Sequence, residues 1–100
     1  MLHSNFRTYQ LSLELYRSLK GKRLPAALKD QLLRASSSVC LNLSEGSAKP
    51  TVRDRQRFYA IAFGSLREVQ TLIELEHESL GGTKALADQT AAHLFKLTRS

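Results

Sequence analysis

The spacing of apolar residues constrains this chain most, because it is helical from one end to the other. In the stretch from residue 28 to 43 the apolar side chains recur every three or four positions, and the same period runs through the rest of the chain. No segment shows the alternation of β-branched and polar residues that is typical of a strand. Breaks at Gly21, Pro50 and residues 80–82 predict four helices. We expect them at residues 5–20, from 25 to between 46 and 49, 51–79 and 83–98, with Thr51 and Thr83 as N-caps.

Short connections make sequential helices antiparallel neighbours, so the expected fold is all-α, an up-down-up-down four-helix bundle. One hundred residues correspond to a single domain spanning residues 1–100. No apolar run approaches the ~20 residues that a membrane-spanning helix needs. The chain opens without an apolar signal core, and we therefore expect a cytoplasmic protein with no membrane partner.

The first helix carries two apolar stripes on nearly opposite sides. One contains four residues and the other three, and only one of them can face the protein's own core. The other needs cover from a neighbouring helix or a second subunit. We predict that the three-leucine stripe forms an oligomer interface. The core-facing stripe of the third helix is expected to include Phe58, Ile61 and Ser65, and a second strip of Tyr59, Phe63 and Leu66 to widen the buried face. The two stripes of the first helix are Phe6, Tyr9, Leu13 and Tyr16, and Leu11, Leu15 and Leu19.

The net charge of +6 is unevenly distributed. Residues 1–57 carry eleven basic and four acidic side chains, whereas residues 58–100 carry four and five. Such a basic half favours an anionic partner such as nucleic acid, although a solvated surface that keeps the protein soluble is the simpler interpretation. Two clusters are the candidate phosphate contacts. They would lie at opposite ends of an up-down bundle, and each would repeat around the rim of a ring. Their members are Lys22 and Arg23, and Lys49, Arg53, Arg55 and Arg57.

A polar stripe follows the second helix beside its apolar stripe, with partners on the third. Buried polar groups without a hydrogen bond cost roughly 1–3 kcal/mol, so these residues are expected to pair. One interpretation is a structural network, either between the two helices or between subunits. The other is a ligand-binding or catalytic site. The residues are Arg34, Ser38, Asn42 and Glu45 on the second helix, and Ser65 and Glu68 on the third.

These two helices also carry a family resemblance. The stretch QLLRASSSVCLNLSEG, from Gln31 to Gly46, resembles the signature Q-x-x-R-A-x-x-S-x-x-x-N-I-A-E-G of the four-helix bundle protein family. That family is also called the 23S ribosomal RNA intervening-sequence protein family. Residues 57–69 look like its R-F-L-x-I-A-x-G-S-L-x-E motif. The resemblance covers residues 5–78 and fades beyond Leu80, and the tryptophan that relatives often have near Tyr9 is missing.

The resemblance implies a homo-oligomer, with pentameric rings known among relatives. More distant relatives are accessory proteins of diversity-generating retroelements, in which a basic bundle oligomer binds RNA and a reverse transcriptase. The expected partners are therefore a second copy of the chain, RNA, and a protein such as a reverse transcriptase. The expected function is that of a non-enzymatic RNA-binding scaffold.

Catalytic and metal chemistry find little support. Cys40 has no histidine placed near it by the helical pattern, and it is expected to be a small apolar residue. Glu74 and His77 have the spacing of a di-iron ligand pair, but there is no second such pair. We predict no catalytic residue, cofactor or metal. The alternative function is a protein-interaction module without a nucleic-acid role, which would use the stripe of Leu11, Leu15 and Leu19.

Overall fold

Four α-helices make up the architecture. The computed structural model describes the backbone of residues 3–76 and 80–99 and the side chains of residues 5–76 and 80–99. The helices are α1 (His3–Lys20), α2 (Ala26–Ser47), α3 (Val52–Glu76) and α4 (Gly81–Thr98), and no strand occurs among these residues. The all-α prediction is confirmed. The predicted end of the third helix, at residue 79, lies outside the described residues.

The helices surround one apolar core. Each helix packs against two neighbours, since α1 contacts α2 and α4, and α3 contacts α2 and α4. The molecule measures 40 × 21 × 19 Å, as expected for helices that lie along a common long axis. Leucines dominate the fully buried side chains, with Leu15, Leu32, Leu66 and Leu94 contributed by the four helices in turn. This packing is that of a four-helix bundle.

The structure reverses the two stripes of α1. Leu11, Leu15 and Leu19 are 1%, 0% and 0% exposed, so they lie in the core of the single chain and are not a subunit interface. The opposite stripe faces outward, with Phe6 51% exposed and Leu13 half-buried. The leucine side chains of α1 pack toward α2 and α4, whereas Phe6, Leu13 and Tyr16 remain at or near the surface. The alternative function, a protein-interaction module, was expected to use this stripe, and the buried leucines are not accessible to a partner.

Two further predictions need correction. On α3 the buried face is rotated toward the second predicted strip, because Ile61 is 48% exposed, whereas Tyr59 and Leu66 are buried as that strip predicted. At α4, Thr83 is not the N-cap, since the helix begins two residues earlier and Leu80 occupies that position. Thr83 is instead buried, and its hydroxyl lies 2.6 Å from the Ser18 hydroxyl on α1. A contact between helices thus outweighs the local capping preference.

Candidate nucleic-acid interface

The connection between α2 and α3 is held by hydrogen bonds local to it. Pro50 cannot continue a helix, and Thr51 caps the next one, as predicted, by accepting a bond from the Asp54 amide at 3.1 Å. The Arg55 guanidinium reaches back and donates to the Lys49 carbonyl at 3.1 Å. Arg55 is half-buried as a result, whereas Arg53 is exposed. The connection is therefore ordered, and it presents its cations from fixed positions.

Gly46 lets the end of α2 approach α3 closely. A Cβ atom at this position would lie 2.9 Å from both the Cβ of Phe58 and the Cε1 of Tyr59, closer than real contacts allow. The close approach places the Lys49 ammonium 5.1 Å from the centre of the Phe58 ring, and the Arg57 guanidinium lies 5.3 Å from it. Cations within about 6 Å of a ring are attracted by its π face. The ring of Phe58 thus keeps two cations from opposite sides of the connection close together.

Tyr59 ties three helices to this end of the bundle. Its side chain is 3% exposed, and its hydroxyl accepts a hydrogen bond from the Asn5 amide at 2.8 Å. The Ser47 hydroxyl lies 3.4 Å from the same oxygen. The beginning of α1, the end of α2 and the beginning of α3 consequently meet here. Arg7 follows Asn5 by half a turn of α1, and it brings a further cation to this end.

The end of α4 joins the same group. Phe63 and Phe95 pack with ring centres 5.9 Å apart, and Gln70 donates to Asp88 at 2.9 Å. In these two contacts the higher-numbered residue of α4 meets the lower-numbered residue of α3. The four residues from Phe95 to Arg99 advance about 6 Å toward the beginning of α3. The Arg99 guanidinium stacks 4.4 Å from the Phe95 ring centre.

These helix termini form what we call the basic end, in which seven cations face two carboxylates, Glu45 and Asp54. Glu45 makes an ion pair with Lys49 at 3.4 Å. Four of the cations were predicted from the α2–α3 connection, and three were missed because they lie in other helices. The predicted up-down connectivity indicates at which end of the bundle α4 finishes, but not that its last residues pack beside α3 there. The basic end comprises Arg7, Lys49, Arg53, Arg55, Arg57, Lys96 and Arg99.

The other predicted pair does not belong to the basic end. Lys22 and Arg23 precede α2, while Lys49 follows it. The 22 residues of α2 separate them by about 33 Å. The carbonyl of Lys22 accepts a hydrogen bond from the Lys29 ammonium at 2.8 Å, which orders the turn. The structure therefore divides the six predicted phosphate contacts into a group of four and a separate pair.

The predicted polar network spans α2 and α3 as two separate hydrogen-bonded groups, and we call their five residues the polar seam. Its members are Arg34, Ser38, Asn42, Ser65 and Glu68. The guanidinium of Arg34 donates to Glu68 at 2.6 Å, and the hydroxyls of Ser38 and Ser65 lie 2.8 Å apart. Asn42 donates to the Ser38 hydroxyl at 3.1 Å.

Two features of the polar seam differ from expectation. Glu45 is not among its hydrogen-bonded members, because its carboxylate pairs with Lys49. The seam is also at the surface, since the side chains of Arg34 and Glu68 are 65% and 42% exposed. Exposed ion pairs contribute little to stability, so the buried-network argument does not apply to this pair.

The described part of the chain gives little support for a catalytic or metal-binding site. Burial raises the pKa of the Cys40 thiol, and a hydrogen bond with Ser12 opposes this only in part. The thiol is therefore a poor nucleophile near neutral pH. Among residues 3–76 and 80–99 no three metal-ligating side chains cluster, and no helix is long and apolar enough to cross a membrane. His77, of the predicted Glu-x-x-His spacing, lies outside these residues.

Fold and surface together define the class: a four-helix bundle with a strongly cationic end and a polar seam between two of its helices. The chain belongs to the 23S rRNA-intervening sequence protein family, whose profile matches residues 5–99. The match extends beyond the stretch in which the motifs are recognisable, and it includes the whole of α4. No curated protein and no solved structure matches the chain significantly.

Proposed function

We propose that this protein is a non-enzymatic RNA-binding scaffold that contacts phosphates through the basic end. The observation that supports this most directly is the gathering of seven cations at the ends of the four helices, against two carboxylates among the described residues. Such a net charge of +5 on one end of a molecule 21 Å wide creates a local field that attracts polyanions. Membership of a family named after an rRNA intervening sequence makes RNA the polyanion to test first.

The chemistry of the basic end suits backbone contacts better than base reading. Its exposed groups are guanidinium and ammonium groups, which bind phosphate oxygens. Phe58 and Phe95 already carry cations on their rings, and these cations would compete with a stacked base. Binding should therefore depend on salt and tolerate changes of RNA sequence.

The test is anisotropy of a fluorescein-labelled RNA hairpin, titrated with nuclease-treated protein between about 50 and 200 mM salt. The variant replaces three exposed cations, Arg53→Gln, Arg57→Gln and Arg99→Gln. Arg55 is retained because its bond to the Lys49 carbonyl orders the connection. Loss of three phosphate contacts should lower the slope of log affinity against log salt by about 2–3. The affinity itself should fall roughly 10–100-fold.

The matched control removes the same charge from the opposite end, with Lys22→Gln, Arg23→Gln and Lys84→Gln. These residues lie about one α2 length away from the basic end. The control should keep the wild-type slope and bind within about threefold of wild type. Equal weakening of both variants would show that total charge, not the basic end, drives binding. Unchanged affinity of the first variant would contradict the assignment.

The same proposal includes the assembly of the molecule. We propose that the helices are ordered up-down-up-down and that the chain forms a ring-like homo-oligomer in the cytoplasm. The paired residues support the order, because Arg34 meets Glu68 while Ser38 meets Ser65. A ring would repeat the basic end around one rim, and multivalent contact would then increase RNA affinity beyond that of one chain.

A further inference from the structure

Two large apolar side chains are exposed beside the polar seam. Leu41 on α2 is 68% exposed, and Ile61 on α3 is 48% exposed. The hydroxyls of Ser38 and Ser65 lie 2.8 Å apart, and this contact sets the register of α2 against α3. Leu41 lies three residues beyond Ser38 and Ile61 four residues before Ser65, so they occupy the next turn along the same surface. They form the apolar centre of what we call the α2–α3 face.

The surface next to this apolar centre is formed by small residues and is slightly recessed. Ser38 and Ser65 are small, and a Cβ added to Gly64 would meet nothing within 4 Å. Small residues beside exposed leucine and isoleucine make a shallow depression into which an apolar side chain of a partner can pack. Its borders carry charges of both signs, from the pairs Arg34–Glu68 and Lys49–Glu45.

A second apolar patch lies on a different helix. The outer stripe of α1 contains Phe6, which is 51% exposed, and the half-buried Leu13 and Tyr16. Phe6, Leu13 and Tyr16 do not pack against the main core, unlike their neighbour Tyr9. Two exposed cations, Arg17 and Lys20, lie beside this stripe. They are complementary to the carboxylates at the borders of the α2–α3 face.

We propose that the α2–α3 face of one chain docks on the outer α1 stripe of a second copy. The inference rests on the proposed self-association and assigns its two surfaces, in place of the buried leucines of α1. Two different patches on different helices form a head-to-tail contact, which is the kind that closes into a ring. RNA fits the α2–α3 face poorly, because Glu45 and Glu68 offset the charges of Lys49 and Arg34 and the centre of the face is aliphatic. The docking residues are Leu41, Ile61 and Gly64 on one copy, and Phe6, Leu13 and Tyr16 on the other.

The experiment compares two variants by sedimentation velocity at matched concentration. The face variant carries Leu41→Gln and Ile61→Gln, and the stripe variant carries Phe6→Gln and Leu13→Gln. Each should raise the dissociation constant of the contact roughly 100-fold and sediment as a monomer. The control Val52→Gln changes another exposed apolar residue, 54% exposed, and should keep the wild-type mass. Circular dichroism checks the fold, and Phe6→Gln alone replaces the stripe variant if helicity is lost.

Mixing the two variants provides the sharper result. The face variant retains an intact α1 stripe, and the stripe variant retains an intact α2–α3 face. An equimolar mixture should therefore form a heterodimer and stop there, since the remaining patches are both damaged. Two monomers without a heterodimer would overturn the pairing of these surfaces, as would a face variant that keeps the wild-type mass. A monomeric wild type would instead overturn the self-association on which the inference rests, while leaving RNA binding by the basic end unaffected.

Discussion

The buried hydroxyl of Tyr59 joins the beginning of α1 to α3 at the basic end. Replacing Tyr59 with Phe should destabilise the protein by about 1–2 kcal/mol, because the Asn5 amide, 6% exposed, would lose its acceptor. The free energy of unfolding from urea titration, followed by circular dichroism, measures this loss.

The control for this substitution is Tyr16→Phe. Tyr16 is half-buried on the outer stripe of α1, and within the described residues its contact is with Lys20, 6.0 Å from the ring centre. That contact involves the ring and not the hydroxyl, so the expected change is below about 0.5 kcal/mol. If both substitutions had the same small effect, the buried hydrogen bond between Asn5 and Tyr59 would contribute nothing measurable to the free energy of unfolding.

At the scale of the helices, the close approach of α2 to α3 depends on the missing side chain of Gly46. Gly46→Ala places a methyl group 2.9 Å from the Cβ of Phe58, which is tied to the backbone and cannot move aside cheaply. Overpacking of this kind costs about 1–3 kcal/mol and exceeds the gain of roughly 1 kcal/mol in helix propensity. We expect a net loss of up to about 2 kcal/mol in thermal or urea unfolding.

Gly82→Ala is the matched control, because the added methyl group meets nothing within 4 Å in the first turn of α4. It should leave the stability unchanged or raise it by up to about 1 kcal/mol. A stabilising Gly46→Ala substitution would mean that α2 and α3 are further apart than the structure shows. In that case the approach of Lys49 to the Phe58 ring would also be lost.

At the scale of the whole molecule, the charge distribution predicts an unusual response to salt. The cations of the basic end repel one another, and the ion pairs at the surface contribute little, so screening should stabilise the fold. The melting temperature of nuclease-treated protein should rise by about 2–5 °C as salt increases. The rise in melting temperature should be smaller in the variant that carries Arg53→Gln, Arg57→Gln and Arg99→Gln. A melting temperature that falls with salt would show that attractive ion pairs dominate.

The sequence by itself determined the number and the approximate limits of the helices. Helix breaks and caps are local, so Pro50 and Thr51 could be interpreted without knowledge of the fold. The pairing of the polar stripes on α2 and α3 was also foreseeable, since a short connection makes these helices neighbours. Four cations of the basic end are close in sequence, and they were identified for the same reason.

Only the tertiary structure decided which sides of the helices face inward. Apolar periodicity shows that α1 has two stripes, but both are hydrophobic enough to be buried, and the choice depends on the shapes of α2 and α4. The rotation of α3, which exposes Ile61, follows from the reach of Tyr59 to Asn5 across 54 positions of sequence. The contribution of Lys96 and Arg99 to the basic end likewise depends on packing, because the Phe63–Phe95 contact joins residues that are distant in the chain.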